Sequence, residues 1–207
     1  MDSTFNRNDV ELLGKKTLYK GFFKMNEYRF KHRLFNGGWS DEVSREVFER
    51  GHAVVVLPYD PILDQVVLIE QIRVPVLESG KTPWLLELVA GMIDSGQTSE
   101  DVARRELQEE AGLNAQALTK VNEYFSSPGG TSERYDFYWA KISAAEAKGI
   151  HGLAHEQEDI RVHVLSREQA YQMVVSGRID NASTVIGLLW LQLNYQDIVK
   201  QYGVKPL

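Results

Sequence analysis

A chain of 207 residues with 43% hydrophobic content can bury a good core and suits one domain plus an extension. Its formal charge of −6 argues against a nucleic-acid partner, which would require clustered Lys and Arg, and the lack of cysteine excludes disulfides, a thiolate nucleophile and Cys-ligated zinc. No apolar run reaches the roughly 18 residues needed to cross a bilayer, and the polar start lacks the pattern of a signal peptide, so the expectation is a cytoplasmic protein with no membrane partner.

In chain order, residues 17–35 are rich in aromatics, with polar alternation as in Tyr28-Arg29-Phe30-Lys31. This predicts strands, with turns at Gly21 and at Asn36-Gly37-Gly38. Residues 43–49 read as a third strand. About fifty residues of antiparallel sheet make a core too small to stand alone. Residues 1–50 are therefore expected to form an N-terminal antiparallel β subdomain that packs on a second copy of the chain or on the main domain, 51–207.

From Gly51 the pattern changes. Residues 53–57 and 66–72 are near-continuous apolar strands joined across Tyr59-Asp60-Pro61, and 84–89 is a third that leads into the segment 90–113. Beyond that segment come a strand at 120–125, a turn-rich loop at 126–133 and a strand at 135–140. A polar connection at 143–159 follows, then a strand at 160–165, a helix at 167–175 and a long apolar helix at 183–201, whose leucines and Trp190 are expected in the core. The order fits an α+β fold, an α/β/α sandwich with a mixed sheet between helices.

The segment 90–113 itself reads as loop, helix, stop. Gly91 and Gly96 bracket the loop, Thr98 with Asp101 makes a capping start, and Gly112 ends the helix. Glu106, Glu109 and Glu110 fall beside the apolar stripe of Ala103, Leu107 and Ala111, where partial burial makes clustered carboxylates costly. Arg105 can pair with Glu109, but no basic residue on the helix faces Glu106 or Glu110. A divalent cation with a preference for oxygen, Mg²⁺ or Mn²⁺, would offset them; a solvated acidic helix face is the alternative.

The spacing of Gly91, Gln97, Arg105-Glu106-Leu107, Glu109-Glu110 and Gly112-Leu113 resembles the Nudix box, with Gln97 where that family has Glu. The resemblance extends to Ala90-Gly91-Met92, to Glu70-Gln71-Ile72-Arg73, to 126–134 and to 152–159. In these stretches the chain is similar to the bacterial ADP-ribose pyrophosphatase branch of the Nudix hydrolases. What that implies is a Nudix fold, Mg²⁺-dependent hydrolysis of ADP-ribose to AMP and ribose 5-phosphate, and a homodimer that exchanges its N-terminal sheet.

The resemblance also implies roles for individual residues. Glu106, Glu110, Glu158 and the Ala90 carbonyl would hold metal, with Glu109 a weaker candidate, and Glu156 would be the general base. Arg45, Glu46 and Arg50 match family positions around adenosine and phosphate; by their own chemistry, Arg73 can offer a bidentate fork to phosphate, and Phe22 and Phe23 flat apolar faces to adenine. Ser127, Pro128, Gly129 and Glu133 form a turn-rich loop whose backbone can approach the terminal ribose, and Met92 lies near Ala90 in the chain. Read from the residues alone, the arginines can equally form surface salt bridges, the phenylalanines core, and Glu156 a solvated loop acid. His151 and His155 lack a third partner at ligand spacing. Two rival functions remain open: hydrolysis of another nucleoside diphosphate derivative such as ADP-glucose or NADH, and a sensor that binds ADP-ribose without cleaving it.

Overall fold

The computed structural model describes residues 4–202, so the first three residues of the polar start lie outside the described residues. The chain divides into two compact units, one formed by the chain up to Gly51 with Phe125–Glu133, the other by His52–Tyr124 and the chain from Arg134 onward.

The first unit is a three-stranded antiparallel sheet in the order β1 (Val10–Lys20), β2 (Lys24–His32), β3 (Val43–Glu49). A tight reversal at Gly21-Phe22-Phe23 joins β1 to β2, with the Gly21 N–H donating to the Phe23 carbonyl at 2.9 Å. Among residues 4–51 no hydrophobic side chain is buried; the one buried residue is Asn26, which accepts from Thr17 Oγ1 at 2.8 Å. Leu12, Leu18, Tyr19, Phe22 and Phe35 are exposed. Residues 125–133 join this unit through the Phe48 backbone: Phe48 N donates to Gly130 O, and Thr131 Oγ1 to Phe48 O, both at 2.8 Å.

The second unit is built on an eight-stranded sheet. Its strands are β4 (Ala53–Asp60), β5 (Gln65–Ile72), β6 (Trp84–Glu87), β7 (Val89–Met92), β8 (Ala117–Phe125), β9 (Arg134–Lys141), β10 (Ile150–His151) and β11 (Ile160–Ser166). The order β10-β11-β5-β4-β9-β8, with β6 on β5 and β7 on β4, is mixed, because β4 runs parallel to β9 and antiparallel to β5 and β7. Val54, Val56, Val67 and Ile69 pack with Val102, Ala103 and Leu107 of helix α1 (Ser99–Ala111). The alternate residues Val55, Leu57, Val66 and Leu68 share a core with Leu188, Leu191 and Ile198 of helix α3 (Ala182–Tyr202), and Ala170 of helix α2 (Arg167–Val175) completes it. Both faces of β4 and β5 are thus covered, which explains their unbroken apolar runs. The sheet lies between helices, as expected.

Four details differ from the sequence reading. Residues 84–89 are two strands divided at Leu88, because the chain leaves β5 and pairs with β4, a change of partner that hydrophobic pattern does not encode. Tyr59 and Asp60 belong to β4, and the turn lies beyond them, where the Asp60 carboxylate accepts from the N–H groups of Ile62 and Leu63. The polar connection at 143–159 contains the short β10 and two single 3₁₀ turns. Finally, the leucines of α3 are split: Leu188 and Leu191 are buried, while Leu193 is 84% exposed because a helix this long turns one stripe away from the sheet. Trp190 packs edge-on against Phe137, at 5.7 Å between ring centroids.

Candidate active site

Helix α1 begins and ends as its residues dictate. Thr98 Oγ1 accepts from the Asp101 N–H at 3.2 Å, and Gly112 stops the helix in the left-handed region, φ 65°. A side chain on Gly112 would strike the His151 ring, whose Nε2 lies 2.8 Å from the Lys148 carbonyl. The helix packs its carboxylates toward β7. Glu110 is 3% exposed and its Oε2 accepts from the Ala90 N–H at 2.9 Å, while the Glu106 carboxylate lies so close to Gly91 that a Cβ there would overlap it.

Arg105 pairs with both neighbours, 2.6 Å from Glu109 Oε2 and 2.8 Å from Glu106 Oε1. The sequence reading, which left Glu106 without a basic partner, is corrected on this point: the long guanidinium side chain reaches the adjacent residue as well as the one a turn away. Burial nevertheless pushes the Glu106 carboxyl up to about 7; Arg105 opposes the rise, and the charges of Glu109 and Glu158 add to it. Burial likewise pushes Glu110 up to about 8, against its bond from Ala90 N–H, with Glu106 and Glu158 raising it further and Arg73 lowering it. Arg73, reached through the fold, is therefore a cation near Glu110 that the helix sequence does not show.

Glu158 comes from the loop 152–159, which is tied to α1 by the Gly152 N–H donating to the Glu109 carbonyl at 3.1 Å. Gly152 has φ +99°, and a Cβ there would meet the Cβ of Glu158. Between Glu156 and Glu158, Gln157 adopts the left-handed conformation, φ 61°. Glu158 folds back and accepts from the Leu153 N–H at 3.1 Å; Glu156 is 55% exposed, with His155 Nε2 at 3.6 Å. Among the described residues no three His, Asp or Glu side chains stand close enough to hold a cation as they are.

Arg73 directly follows β5, and Met92 ends β7 opposite Ala53. The Arg73 guanidinium binds Glu87, with Nε 2.9 Å and Nη2 2.8 Å from Oε2. Glu87 was not singled out from the sequence. Its only signal there is a carboxylate at the end of an apolar strand.

In the first unit, Phe22, Phe23 and Phe48 form an edge-to-face series with centroids 4.8 and 5.3 Å apart, and the Arg50 guanidinium lies 5.3 Å from the Phe23 ring. Arg50 Nε is 3.1 Å from the carboxylate of Glu133, which is buried. Phe22 is 89% exposed, so it is not core. Arg45 and Glu46 are consecutive in β3 and exposed, and therefore point to opposite faces of that sheet. Ser127, Pro128 and Gly129 form an exposed turn, in which the Ser127 carbonyl accepts from the N–H groups of Gly130 and Thr131, both at 3.0 Å.

A family model described as the NUDIX domain matches residues 49–183, which takes in α1, its carboxylates and the loop bearing Glu158. The chain belongs to the Nudix family. It is a Nudix hydrolase, 58% identical over 200 residues to a protein of Escherichia coli (strain K12) named ADP-ribose pyrophosphatase, covering 97% of this chain and 96% of the relative. A Haemophilus influenzae protein of the same name is 50% identical over 201 residues, 96% of this chain and 93% of its own length. Among solved structures, the crystal structure of an ADP compounds hydrolase superposes with a TM-score of 0.69 at 20% identity, covering 91% of this chain and 95% of that one, which shows a shared fold.

Within the Nudix box the one departure, Gln97, closes a small ring with Asp94: its Oε1 accepts from the Asp94 N–H at 3.3 Å and its N–H donates to the Asp94 carbonyl at 3.2 Å. The box thus contributes a braced loop, a capped helix, one buried carboxylate, Glu110, and one half-buried, Glu106.

Proposed function

We propose that this Nudix hydrolase cleaves the pyrophosphate bond of ADP-ribose, with Mg²⁺ or Mn²⁺, to AMP and ribose 5-phosphate. The observation that carries hydrolysis is the desolvated pair Glu106 and Glu110, the latter bonded by the Ala90 N–H, with the charge of Glu158 repelling both. The choice of ADP-ribose rests on the names of the two full-length bacterial relatives.

The donors fit a hard divalent cation. Carboxylates of Glu106, Glu110 and Glu158 with the Ala90 carbonyl are all oxygen ligands, and a cation would offset the cost that raises Glu106 and Glu110. When bound, such a cation neutralises phosphate charge and acidifies water. Glu156 is assigned as the base that takes the proton from the attacking water, as its exposure leaves it free to do. The water oxygen forms a bond to one phosphorus while the bridging P–O bond breaks, and the bridging oxygen departs on the other phosphate. AMP and ribose 5-phosphate result whichever phosphorus is attacked.

Arg73 is assigned to a phosphate. Phe22 and Phe23 offer aromatic faces to adenine, with Arg45, Glu46 and Arg50 around the nucleotide, Ser127, Pro128, Gly129 and Glu133 toward the terminal ribose, and Met92 beside Ala90. Glu109, held by Arg105, is assigned to orientation rather than ligation. The N-terminal sheet, which buries no hydrophobic side chain among residues 4–51, supports a homodimer in which a second copy covers it. A cytoplasmic setting completes the reading; no helix among the described residues is long and apolar enough to cross a membrane.

The test is turnover of ADP-ribose, ADP-glucose and NADH in ¹⁸O-labelled water with Mg²⁺ or Mn²⁺. The expected result is fastest hydrolysis of ADP-ribose, with a single ¹⁸O in one of the two products. Faster turnover of ADP-glucose or NADH would transfer the assignment to that substrate. Binding of ADP-ribose without turnover in either metal would make the protein a sensor.

A further inference from the structure

The geometry points to Glu87 as a positioning residue for the reaction, holding one edge of the Arg73 guanidinium so that the remaining nitrogen faces the substrate's diphosphate. This inference rests on the reading of Arg73 as a phosphate contact. Glu87 is 9% exposed, a costly place for a carboxylate unless every lone pair is used. Its Oε2 accepts from Gln71 Nε2 at 3.2 Å and from Arg73 Nε at 2.9 Å, its Oε1 accepts from Arg73 Nε at 3.2 Å, and Arg73 Nη2 makes an ion pair with Oε2 at 2.8 Å. Glu87 thus holds the Nε and Nη2 edge of the guanidinium, and Nη1 is on the other side for a further acceptor. The Arg73 side chain remains 43% exposed, so the pair is not sealed in the interior.

The backbone beneath Glu87 is fixed on both sides. Glu87 stands where the chain passes from β5 to β4, a step that would leave main-chain groups unpaired. The start of α3 fills them: Asn181 Nδ2 donates to the Leu86 carbonyl at 2.8 Å, and the Leu88 N–H donates to Thr184 Oγ1 at 3.0 Å. The other end of the link is fixed as well, since the Arg73 N–H donates to the Pro83 carbonyl at 2.8 Å. A chain of contacts therefore runs from α3 through β6 to Arg73, whose charge is felt at Glu110. A guanidinium held in this way loses little freedom when it meets a phosphate, which is how a residue that never touches substrate strengthens binding.

The test is steady-state kinetics with ADP-ribose at saturating Mg²⁺ for Glu87→Gln, Arg73→Ala and the double variant, with thermal melting of each. In Glu87→Gln one oxygen becomes an NH₂ group that opposes the Arg73 donors. KM is expected to rise about 10- to 100-fold with kcat changed less than about threefold, and Glu87→Asp, which keeps the charge, should recover part of that loss. The double variant should have the kcat/KM of Arg73→Ala alone, because Glu87 acts through Arg73. Glu87→Asp also serves if Glu87→Gln does not fold, since a shortened carboxylate should still raise KM. An unchanged KM in a Glu87 variant while Arg73→Ala loses activity, or additive losses in the double variant, would overturn the inference and leave the Arg73 reading intact. An unchanged kcat/KM in Arg73→Ala would overturn both.

Discussion

At the scale of single residues, Gln97 and the pair Glu156 and Glu158 carry the sharpest tests. Gln97 uses its amide oxygen to accept from the Asp94 N–H, a bond that a carboxylate oxygen makes equally well. Gln97→Glu is therefore expected to change kcat by less than about tenfold, or 1.4 kcal/mol; a hundredfold gain would show that the natural residue cripples the enzyme. The left-handed Gln157 separates Glu156 from Glu158, and their surroundings differ, one toward solvent and one folded onto the Leu153 N–H. If Glu156 is the base, Glu156→Gln lowers kcat by about 10²- to 10⁴-fold with KM and the Mg²⁺ requirement nearly unchanged. Glu158→Gln should instead raise the Mg²⁺ concentration for half activity, and excess Mg²⁺ should restore part of the rate. Equal losses at both positions, indifferent to Mg²⁺, would refute the division of labour.

At the scale of elements, the approach of β7 to α1 decides where the carboxylates sit. Gly91 allows it, since a methyl group there would occupy the space of the Glu106 carboxylate while the Ala90 N–H next to it holds Glu110. Gly91→Ala must push Glu106 aside or part the strand from the helix. We expect activity to fall at least tenfold, with a higher Mg²⁺ requirement, and the melting temperature to drop less sharply because Glu106 can swing toward solvent. Retention of wild-type Mg²⁺ dependence would mean that Glu106 is not a ligand.

For the molecule as a whole, the N-terminal unit is the test. Among residues 4–51 it buries no hydrophobic side chain, and its loop 125–133 is anchored to β3 through Phe48 and Glu49. Deletion of residues 1–48 removes the sheet, Phe22, Phe23, Arg45 and Glu46 together and strips that loop of its Phe48 bonds. The product is expected to be monomeric or insoluble, and inactive toward ADP-ribose, as read by light scattering and turnover. A soluble, fully active monomer would end the exchanged-dimer proposal.

The sequence by itself determined what depends on local periodicity and fixed spacing: the capped helix from Thr98 to Gly112, the buried runs of β4 and β5, the bounds of β3 and α2, and the box that places three glutamates on one helix. Those features follow from each residue's neighbours in the chain, which the sequence shows directly. Only the tertiary structure decided the features that depend on distant partners. The division of residues 84–89 arises because β4 and β5 each take a piece. Glu87 was invisible as a partner of Arg73 because fourteen residues and a change of strand separate them. Glu156 and Glu158 have different partners, with a left-handed residue between them, and the raised carboxyls of Glu106 and Glu110 require burial, which arises only when β7 and the loop bearing Glu158 close around the helix.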